Sequence, residues 1–241
     1  MIIGVPKEIK LQEHRIGLTP ESVKVLHKKG HKVIVESNGG FEAGFSNQDY
    51  EEAGALIYPN AKEIFNDAEI IVKVKEPQMS EVNMIKENQI IYTYLHLAAA
   101  KDLTLSLMKS KSICIAYETV TDDNGRLPLL APMSAVAGRM SIQAGAHSLE
   151  KNQRGRGLLL GGAPGVEPAN IVILGGGVVG ENAAIIATGM KGKVHVVDKS
   201  KERLKELHEK FGDKIIPSES NKIDLKKLVS ECDLLIGGVL I

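Results

Sequence analysis

The feature that most constrains this chain is the glycine pattern in ILGGGVVGENAAI, residues 173–185. Gly175, Gly177 and Gly180 directly follow an apolar run and precede small residues suited to a helix. In a strand–turn–helix unit the first glycine permits the tight turn, the second lets a pyrophosphate approach the backbone, and the third lets helix and strand pack closely. The pattern therefore predicts a dinucleotide-binding turn with the phosphates at the helix N-terminus.

An acidic residue follows at the distance that such a turn requires. Asp198 ends the next strand-like run, about 20 residues beyond the glycines, where a carboxylate accepts hydrogen bonds from the adenosine ribose. Because a carboxylate repels a 2′-phosphate, the sequence predicts NAD rather than NADP. The alternative is a glycine turn without a ligand, with Asp198 capping the next helix. Arg203 and Ser220 could flank the adenosine, although spacing alone favours ordinary surface residues.

Strand-like and helix-like segments alternate along the chain, which predicts an α/β protein with parallel sheets. We expect a substrate-binding catalytic domain over residues 1–131 and a Rossmann-type, doubly wound NAD-binding domain over residues 152–241. The Ala-rich segment 132–151 predicts a long helix that links them, and the glycine-rich stretch after it is either a connector or a functional loop. The predicted strands are Ile2–Val5, Lys32–Glu36, Ile70–Val74, Gln89–Tyr94, Ile113–Tyr117, Ile171–Leu174, Lys193–Val197, Lys214–Ile216 and Asp233–Ile241.

Three polar residues follow predicted strands of the first domain. Arg15 lies in a charged loop after the first strand, Lys75 follows the strand in IIVKVKEP, and His96 follows the strand in IIYTYLHLAAA. Ligands of parallel sheets bind beyond the carboxyl ends of the strands. Arginine can grip a carboxylate through two hydrogen bonds, lysine donates to an oxygen, and histidine exchanges protons near neutral pH. Taken singly each residue also fits a solvated charge or a structural histidine, but together they predict a site for a small acid.

Composition narrows the class of protein further. The chain has 30 basic and 30 acidic residues, so it lacks the excess of positive charge that is typical of proteins that bind nucleic acid or an anionic membrane surface. No stretch approaches the roughly 20 apolar residues of a membrane span. The two cysteines, Cys114 and Cys232, lack metal-ligand spacing, so no metal site is expected. We predict a soluble cytoplasmic protein.

The order of motifs resembles a known family. MIIGVPKEIKLQEHRIGLTP, VKVKEP, YLHLA, LAPMSAVAGRMSIQAGAHSLEK, GGAPGVEPANIVILGGGVVGENAA and HVVDKSKERL together are similar to the N-terminal two-thirds of bacterial alanine dehydrogenases. A more distant resemblance is to the NAD-binding subunit of proton-translocating transhydrogenase. The substrate-side residues Arg15, Lys75 and His96 favour the dehydrogenase.

The resemblance implies reversible, NAD-dependent oxidative deamination of L-alanine to pyruvate and ammonium, with hydride transfer in an interdomain cleft. It implies that Arg15 and Lys75 bind the substrate, and that His96 donates and accepts the proton. It also implies a homo-oligomer, commonly a hexamer. The further residues that the resemblance places at NAD are Ser134, Val178, Asp198, Arg203, Ser220, Val239 and Leu240.

Members of that family continue well beyond the position of Ile241, with a second catalytic acid in the remainder. The resemblance therefore implies that these 241 residues are C-terminally truncated relative to the family, with a partly formed nicotinamide site and little turnover alone. Two alternatives stay open. One is a non-catalytic NAD-binding or assembly module, and the other is a fragment of a transhydrogenase NAD-binding subunit.

Overall fold

The computed structural model describes residues 1–239 and contains two compact units, one from Met1 to Leu129 and one from Leu130 onward. Each unit is built on its own parallel β-sheet, as the alternating pattern predicts. Among the described residues, no helix combines the length and the apolar character needed to cross a bilayer. The predicted residue Leu240 lies outside the described residues.

The first unit contains a six-stranded parallel sheet with the order β3-β2-β1-β4-β5-β6. Its central strands are runs of β-branched residues whose side chains are buried on both faces, as in a sheet covered by helices. Ile34, Ile71 and Ile91 are completely buried, and each contributes about 1.5–3 kcal/mol. The strands are β1 (Ile2–Val5), β2 (Lys32–Glu36), β3 (Leu56–Tyr58), β4 (Ile70–Val72), β5 (Ile90–Thr93) and β6 (Ile113–Ala116).

Helices connect these strands, and local sequence signals fix their ends. The first helix begins at Pro20, because the Thr19 side chain accepts a hydrogen bond from the Ser22 N–H and Pro20 occupies the first turn. Gly30 follows that helix with φ +83°, a conformation that favours glycine. The helices are α1 (Pro20–Lys28), α2 (Asn47–Glu52), α3 (Ala61–Asp67), α4 (Met79–Val82) and α5 (Lys101–Ser110).

The sequence prediction missed one strand of this sheet and overextended others. β3 has only three residues and lies at the sheet edge, where Leu56 is half exposed, so it carries little of the burial pattern that identifies a strand. The strand predicted over Ile70–Val74 ends at Val72. The chain there turns into a loop held by side-chain hydrogen bonds, which the apolar pattern does not reveal.

The second unit contains a four-stranded parallel sheet with the order β10-β7-β8-β9. With β7 as its first strand, this is the order 4-1-2-3 that opens a doubly wound nucleotide-binding fold. The strands are β7 (Asn170–Leu174), β8 (Lys193–Asp198), β9 (Ile215–Glu219) and β10 (Leu234–Gly237), and the helices are α6 (Ala131–Ser148), α7 (Val178–Gly189), α8 (Lys201–Phe211) and α9 (Leu225–Glu231).

Two strand predictions in this unit need correction. The strand predicted at Lys214–Ile216 runs from Ile215 to Glu219 and includes Pro217, which an edge strand tolerates because its missing N–H need not pair. The final strand runs from Leu234 to Gly237, whereas the prediction was Asp233–Ile241. The Gly238 N–H still donates to the Leu174 carbonyl at 2.7 Å, and residues 240 and 241 lie outside the described residues.

Helix α6, predicted as a connection, packs within the second unit. A Cβ added to Gly138 would lie 2.2 Å from the Val179 carbonyl oxygen, so a side chain larger than hydrogen would separate α6 from α7. The Arg139 Nε donates to Asn182 Oδ1 at 3.0 Å across the same contact. The helix ends at Ser148 rather than at Lys151, and a short 3-10 turn follows.

Candidate functional site

The three predicted substrate-side residues all follow strands that are neighbours in the first sheet. β1, β4 and β5 pair in parallel, so their carboxyl ends lie at one edge of the sheet. Arg15 lies in the segment after β1, Lys75 follows β4, and His96 follows β5. The topology thus brings their loops together at the edge where α/β proteins bind ligands.

Glu13 binds the Arg15 guanidinium through two hydrogen bonds, an arrangement that we call the Glu13–Arg15 fork. The Arg15 Nε donates to Glu13 Oε1 at 2.7 Å and its Nη2 donates to Glu13 Oε2 at 2.5 Å. The hydrogen bond from Arg15 is the largest cause that lowers the pKa of Glu13 to about 2; burial opposes it, and the charges of Arg15 and Lys75 assist. Glu13 is therefore an anion near neutral pH, and it fixes a guanidinium whose side chain is 44% exposed.

Lys75 is positioned through its backbone. Its N–H faces Glu8 Oε1 at 3.4 Å, and its carbonyl accepts a hydrogen bond from Thr93 Oγ1 at 2.9 Å. The same Glu8 oxygen accepts a shorter hydrogen bond from the Val74 N–H at 2.6 Å. The segment after β4 is thus fastened to the loop after β1 and to β5, which fixes where the Lys75 side chain begins.

A buried ionic cluster lies beneath this segment. The Lys73 Nζ is 3.1 Å from Glu8 Oε2 and 2.8 Å from Glu81 Oε1, and all three side chains are almost completely buried. Burial raises the pKa of Glu81, and the charge of Lys73 opposes that rise. Charges removed from water in this way are stable only when they are paired. We call Glu8, Lys73 and Glu81 the buried triad.

His96 has an unusual backbone conformation. Its φ is +51° and its ψ is +35°, in the left-handed region that costs a non-glycine residue about 1–3 kcal/mol. The Glu118 carboxylate accepts hydrogen bonds from the N–H groups of both Leu95 and His96, the latter at 2.7 Å. These bonds hold the strand end in a conformation that it would not adopt alone.

The imidazole of His96 is half exposed and has two neighbours. Its Nδ1 is 3.2 Å from Glu76 Oε2, and its ring stacks on Tyr94 with centroids 6.1 Å apart. Burial raises the pKa of Tyr94, and the positive charge of Arg15 opposes that rise. Glu76 and Tyr94 thus both contact the His96 ring at the sheet edge.

Sequence reasoning did not single out Glu13, Glu76 or Glu118. Glu13 is two residues before Arg15 and Glu76 directly follows Lys75, so proximity in sequence was the only signal for them. Glu118 lies in a 3-10 turn after β6, far from His96 in sequence. A carboxylate in a loop is typical of solvated surface until its partners are known, and the partners of Glu76 and Glu118 follow neighbouring strands.

In the second unit the three fingerprint glycines form the turn between β7 and α7. Gly175 has φ +95°, and a Cβ on Gly180 would lie 1.8 Å from the Gly175 carbonyl oxygen, so neither position accommodates a side chain. Gly177 precedes α7, no side chain caps that helix, and a Cβ there would meet nothing within 4 Å. The turn thus presents the N-terminus of α7 without a capping group, which is the arrangement that accommodates an anion.

Asp198 ends β8 beside this turn. Its Oδ2 accepts a hydrogen bond from the Gly176 N–H at 2.6 Å and its Oδ1 accepts one from the Ser200 N–H at 2.9 Å. Burial acts to raise the pKa of Asp198, but these backbone hydrogen bonds and the charge of Arg203 outweigh it and lower the pKa. The ionised carboxylate still has lone pairs for ribose hydroxyls, so the residues present fit a dinucleotide.

Of the other predicted cofactor residues, Arg203 and Val239 contact this turn and Ser220 contacts Asp198. The Arg203 Nε donates to the Gly176 carbonyl at 2.7 Å and the guanidinium also pairs with Glu181, so Arg203 braces the turn. The Ser220 N–H donates to the Asp198 carbonyl at 3.0 Å. A Cβ on Gly175 would meet the Val239 side chain at 2.7 Å, Val178 is the first residue of α7, and Ser134 lies in the first turn of α6.

No group of three or more His, Cys, Asp or Glu side chains that could hold a metal ion exists among residues 1–239. The first region brings together an arginine, a lysine and a histidine, which suit a small acid. The second region has a glycine turn and an aspartate at the next strand end, which suit a dinucleotide.

Comparison with known proteins matches both units. The family model described as "Alanine dehydrogenase/PNT, N-terminal domain" matches residues 4–137, and "Alanine dehydrogenase/PNT, C-terminal domain" matches residues 141–241. A protein named alanine dehydrogenase from Methanococcus maripaludis is 52% identical over the whole chain, which spans 65% of that relative.

Two solved structures match the whole chain. A structure named L-alanine dehydrogenase has a TM-score of 0.91 and 51% identity, covering all of this chain and 66% of the other. A transhydrogenase from Sinorhizobium meliloti, with a TM-score of 0.79 and 24% identity, covers all of this chain and 70% of the other, and shares the fold.

Proposed function

Because the chain belongs to the alanine dehydrogenase/PNT family, we propose that it serves the reversible oxidative deamination of L-alanine with NAD. The reaction converts L-alanine, NAD⁺ and water to pyruvate, ammonium, NADH and a proton. The observation that carries the proposal is the convergence of Arg15, Lys75 and His96 at one sheet edge of a chain that is 52% identical to a protein named alanine dehydrogenase.

Each side chain has a role that follows from its surroundings. Arg15, oriented by Glu13, binds the substrate carboxylate through two parallel hydrogen bonds. Lys75 donates to the oxygen that the substrate Cα carries in the carbinolamine and in pyruvate, and its fixed backbone limits where the Lys75 ammonium group can reach. The glycine turn and Asp198 would hold NAD, whose nicotinamide C4 would supply the hydride acceptor.

His96 moves the proton in the hydrolytic half of the reaction. Loss of one ammonium proton and of the Cα hydride converts L-alanine into an iminium ion, and addition of water to that ion gives a carbinolamine. In the form that carries a protonated amine, His96 takes the proton of the hydroxyl, the oxygen forms the pyruvate carbonyl, and the C–N bond breaks to release ammonia. An imidazole suits this exchange because it gains and loses protons near neutral pH.

Asp198 and the glycine turn support NAD as the cofactor rather than NADP. The carboxylate at the end of β8 is ionised and would repel a 2′-phosphate. We expect calorimetric titration to show binding of NAD and at least about tenfold weaker binding of NADP. Asp198→Ser should reduce that preference, and an unchanged preference would refute the ribose contact.

The assignment of His96 is tested by separating turnover from cofactor binding. In the full-length gene product, His96→Ala should lower alanine oxidation by about a hundredfold or more and leave NAD affinity unchanged. His147, an exposed residue of α6, provides the matched control, and His147→Ala should behave as the wild type. An equal loss of turnover and of NAD binding in His96→Ala would show a structural role instead.

The alternatives predict different results. A non-catalytic module binds NAD and does not respond to L-alanine, and a transhydrogenase subunit binds NAD and does not respond to pyruvate. The expected homo-oligomeric state stays a prediction, which analytical ultracentrifugation tests.

A further inference from the structure

The carboxylate of Glu76 lies between two other strand-end loops. Its Oε1 accepts a hydrogen bond from the Lys10 Nζ, and its Oε2 is 3.2 Å from the His96 Nδ1. Lys10 follows β1, Glu76 follows β4 and His96 follows β5. One side chain, only 15% exposed, therefore connects the three loops that carry the substrate-side residues.

Glu76 is held in its ionised form. Burial acts to raise the pKa of Glu76, but the hydrogen bonds from Lys10 and His96, with the charge of Lys10, outweigh it and lower the pKa. An ionised carboxylate accepts hydrogen bonds and cannot donate them. The imidazole nitrogen that faces it must therefore carry a hydrogen.

This contact determines the tautomer of the ring. A neutral imidazole carries its single hydrogen on one nitrogen and a lone pair on the other, and the hydrogen bond of one nitrogen sets the state of its partner. With Nδ1–H directed at Glu76, the lone pair lies on Nε2. Glu118 does not compete for this role, because it contacts the backbone of His96 and not its ring.

We propose that Glu76 is a positioning residue that holds His96 as the Nδ1–H tautomer and so makes Nε2 the atom that exchanges the proton. The consequence for alanine oxidation rests on the proposed function, whereas the tautomer is a property of the protein alone. In the hydrolytic step, the hydroxyl proton of the carbinolamine then moves to Nε2, and the imidazolium keeps its hydrogen bond to Glu76.

The direct test is nitrogen NMR of the ligand-free chain labelled with ¹⁵N-histidine. Long-range ¹H–¹⁵N correlations distinguish the two tautomers, and His96→Gln identifies the signals. At a pH where the ring is neutral, the wild type should show a protonated Nδ1 and an unprotonated Nε2. A wild-type ring in the Nε2–H form would overturn the proposal without any variant.

Glu76→Gln then tests the cause. A glutamine amide both donates and accepts, so it no longer selects one tautomer, and the Nδ1–H to Nε2–H ratio should fall by about tenfold or more. Glu87→Gln removes a surface charge that pairs with Lys111 and should leave the ratio unchanged. An unchanged ratio in Glu76→Gln, in a protein whose circular dichroism matches the wild type, would contradict the proposal.

Turnover separates this inference from the proposed function. If the full-length gene product oxidises alanine, Glu76→Gln should lower kcat and leave NAD affinity unaltered. Loss of the tautomer preference in a protein that does not oxidise alanine would refute the proposed function and support the positioning role. Oxidation of alanine by a protein whose His96 tautomer does not depend on Glu76 would support the proposed function and refute the positioning role.

Discussion

Glu118 Oε1 accepts a hydrogen bond from the backbone N–H of His96 at 2.7 Å, and His96 has a left-handed backbone conformation. The hydrogen bond stabilises this backbone conformation. The carboxylate also binds the N–H of Leu95, so it offsets the cost of a backbone that turns sharply at the end of β5. The orientation of the candidate catalytic imidazole thus depends on a residue beyond the next strand.

Removing this carboxylate should affect catalysis more than cofactor binding. Glu118→Ala leaves two backbone N–H groups without their acceptor, and we expect the free energy of unfolding to fall by about 1–3 kcal/mol. Alanine oxidation should fall by about tenfold, while NAD affinity, measured by calorimetry, should not change. Glu118→Gln, which keeps an acceptor oxygen, should recover part of the loss. Wild-type turnover in Glu118→Ala would show that the backbone hydrogen bonds do not position His96.

The fingerprint glycines provide a matched pair of variants. Gly180→Ala places a methyl group 1.8 Å from the Gly175 carbonyl oxygen, so the free energy of unfolding should fall by about 1–3 kcal/mol or more. Gly177→Ala meets nothing within 4 Å and should cost about 1 kcal/mol or less. Its methyl group would nevertheless obstruct the approach of a pyrophosphate. Urea denaturation should therefore show a larger loss of stability in Gly180→Ala, and NAD titration should show weaker binding in the stable Gly177→Ala. Equal losses of stability in the two variants would contradict this distinction.

The buried triad should be sensitive to loss of its one cation. Lys73→Met leaves the carboxylates of Glu8 and Glu81 buried without that counter-charge, and we expect the free energy of unfolding to fall by about 3–5 kcal/mol. Lys111→Met removes an exposed ion pair with Glu87 and should cost less than about 1 kcal/mol. Similar small losses in both variants, measured by urea denaturation, would mean that the triad contributes nothing beyond a surface pair.

The Glu13–Arg15 fork predicts a pH dependence of stability. The folded-state pKa of Glu13, about 2, lies below its ordinary value of 4.5. Its contribution is therefore complete above about pH 4.5 and is lost as the pH falls toward 2. Glu13→Gln should reduce the slope of unfolding free energy against pH in this window, by up to about 1.4 kcal/mol per pH unit. Arg15→Met should reduce the same slope, and a wild-type slope in both variants would show that the fork does not stabilise the protein.

The sequence was most informative where a local pattern determines the structure. The glycines, their flanking strand and helix, and Asp198 specify a βαβ unit by themselves, and the four-stranded sheet forms as that pattern predicts. Arg15, Lys75 and His96 could be placed at strand ends because parallel strands share an edge. Their orienting partners could not be predicted, because Glu118 meets His96 through the pairing of β5 with β6. The short edge strand β3 was missed for the related reason that it buries too little to show a pattern.

The transfer of a labelled hydride tests the central claim most directly. L-alanine deuterated at Cα is incubated with NAD and the purified full-length gene product, and the reduced cofactor is analysed by mass spectrometry and NMR. The proposed reaction predicts NADH that carries deuterium at the nicotinamide C4, together with pyruvate. Formation of no NADH, or of NADH without deuterium, would contradict it.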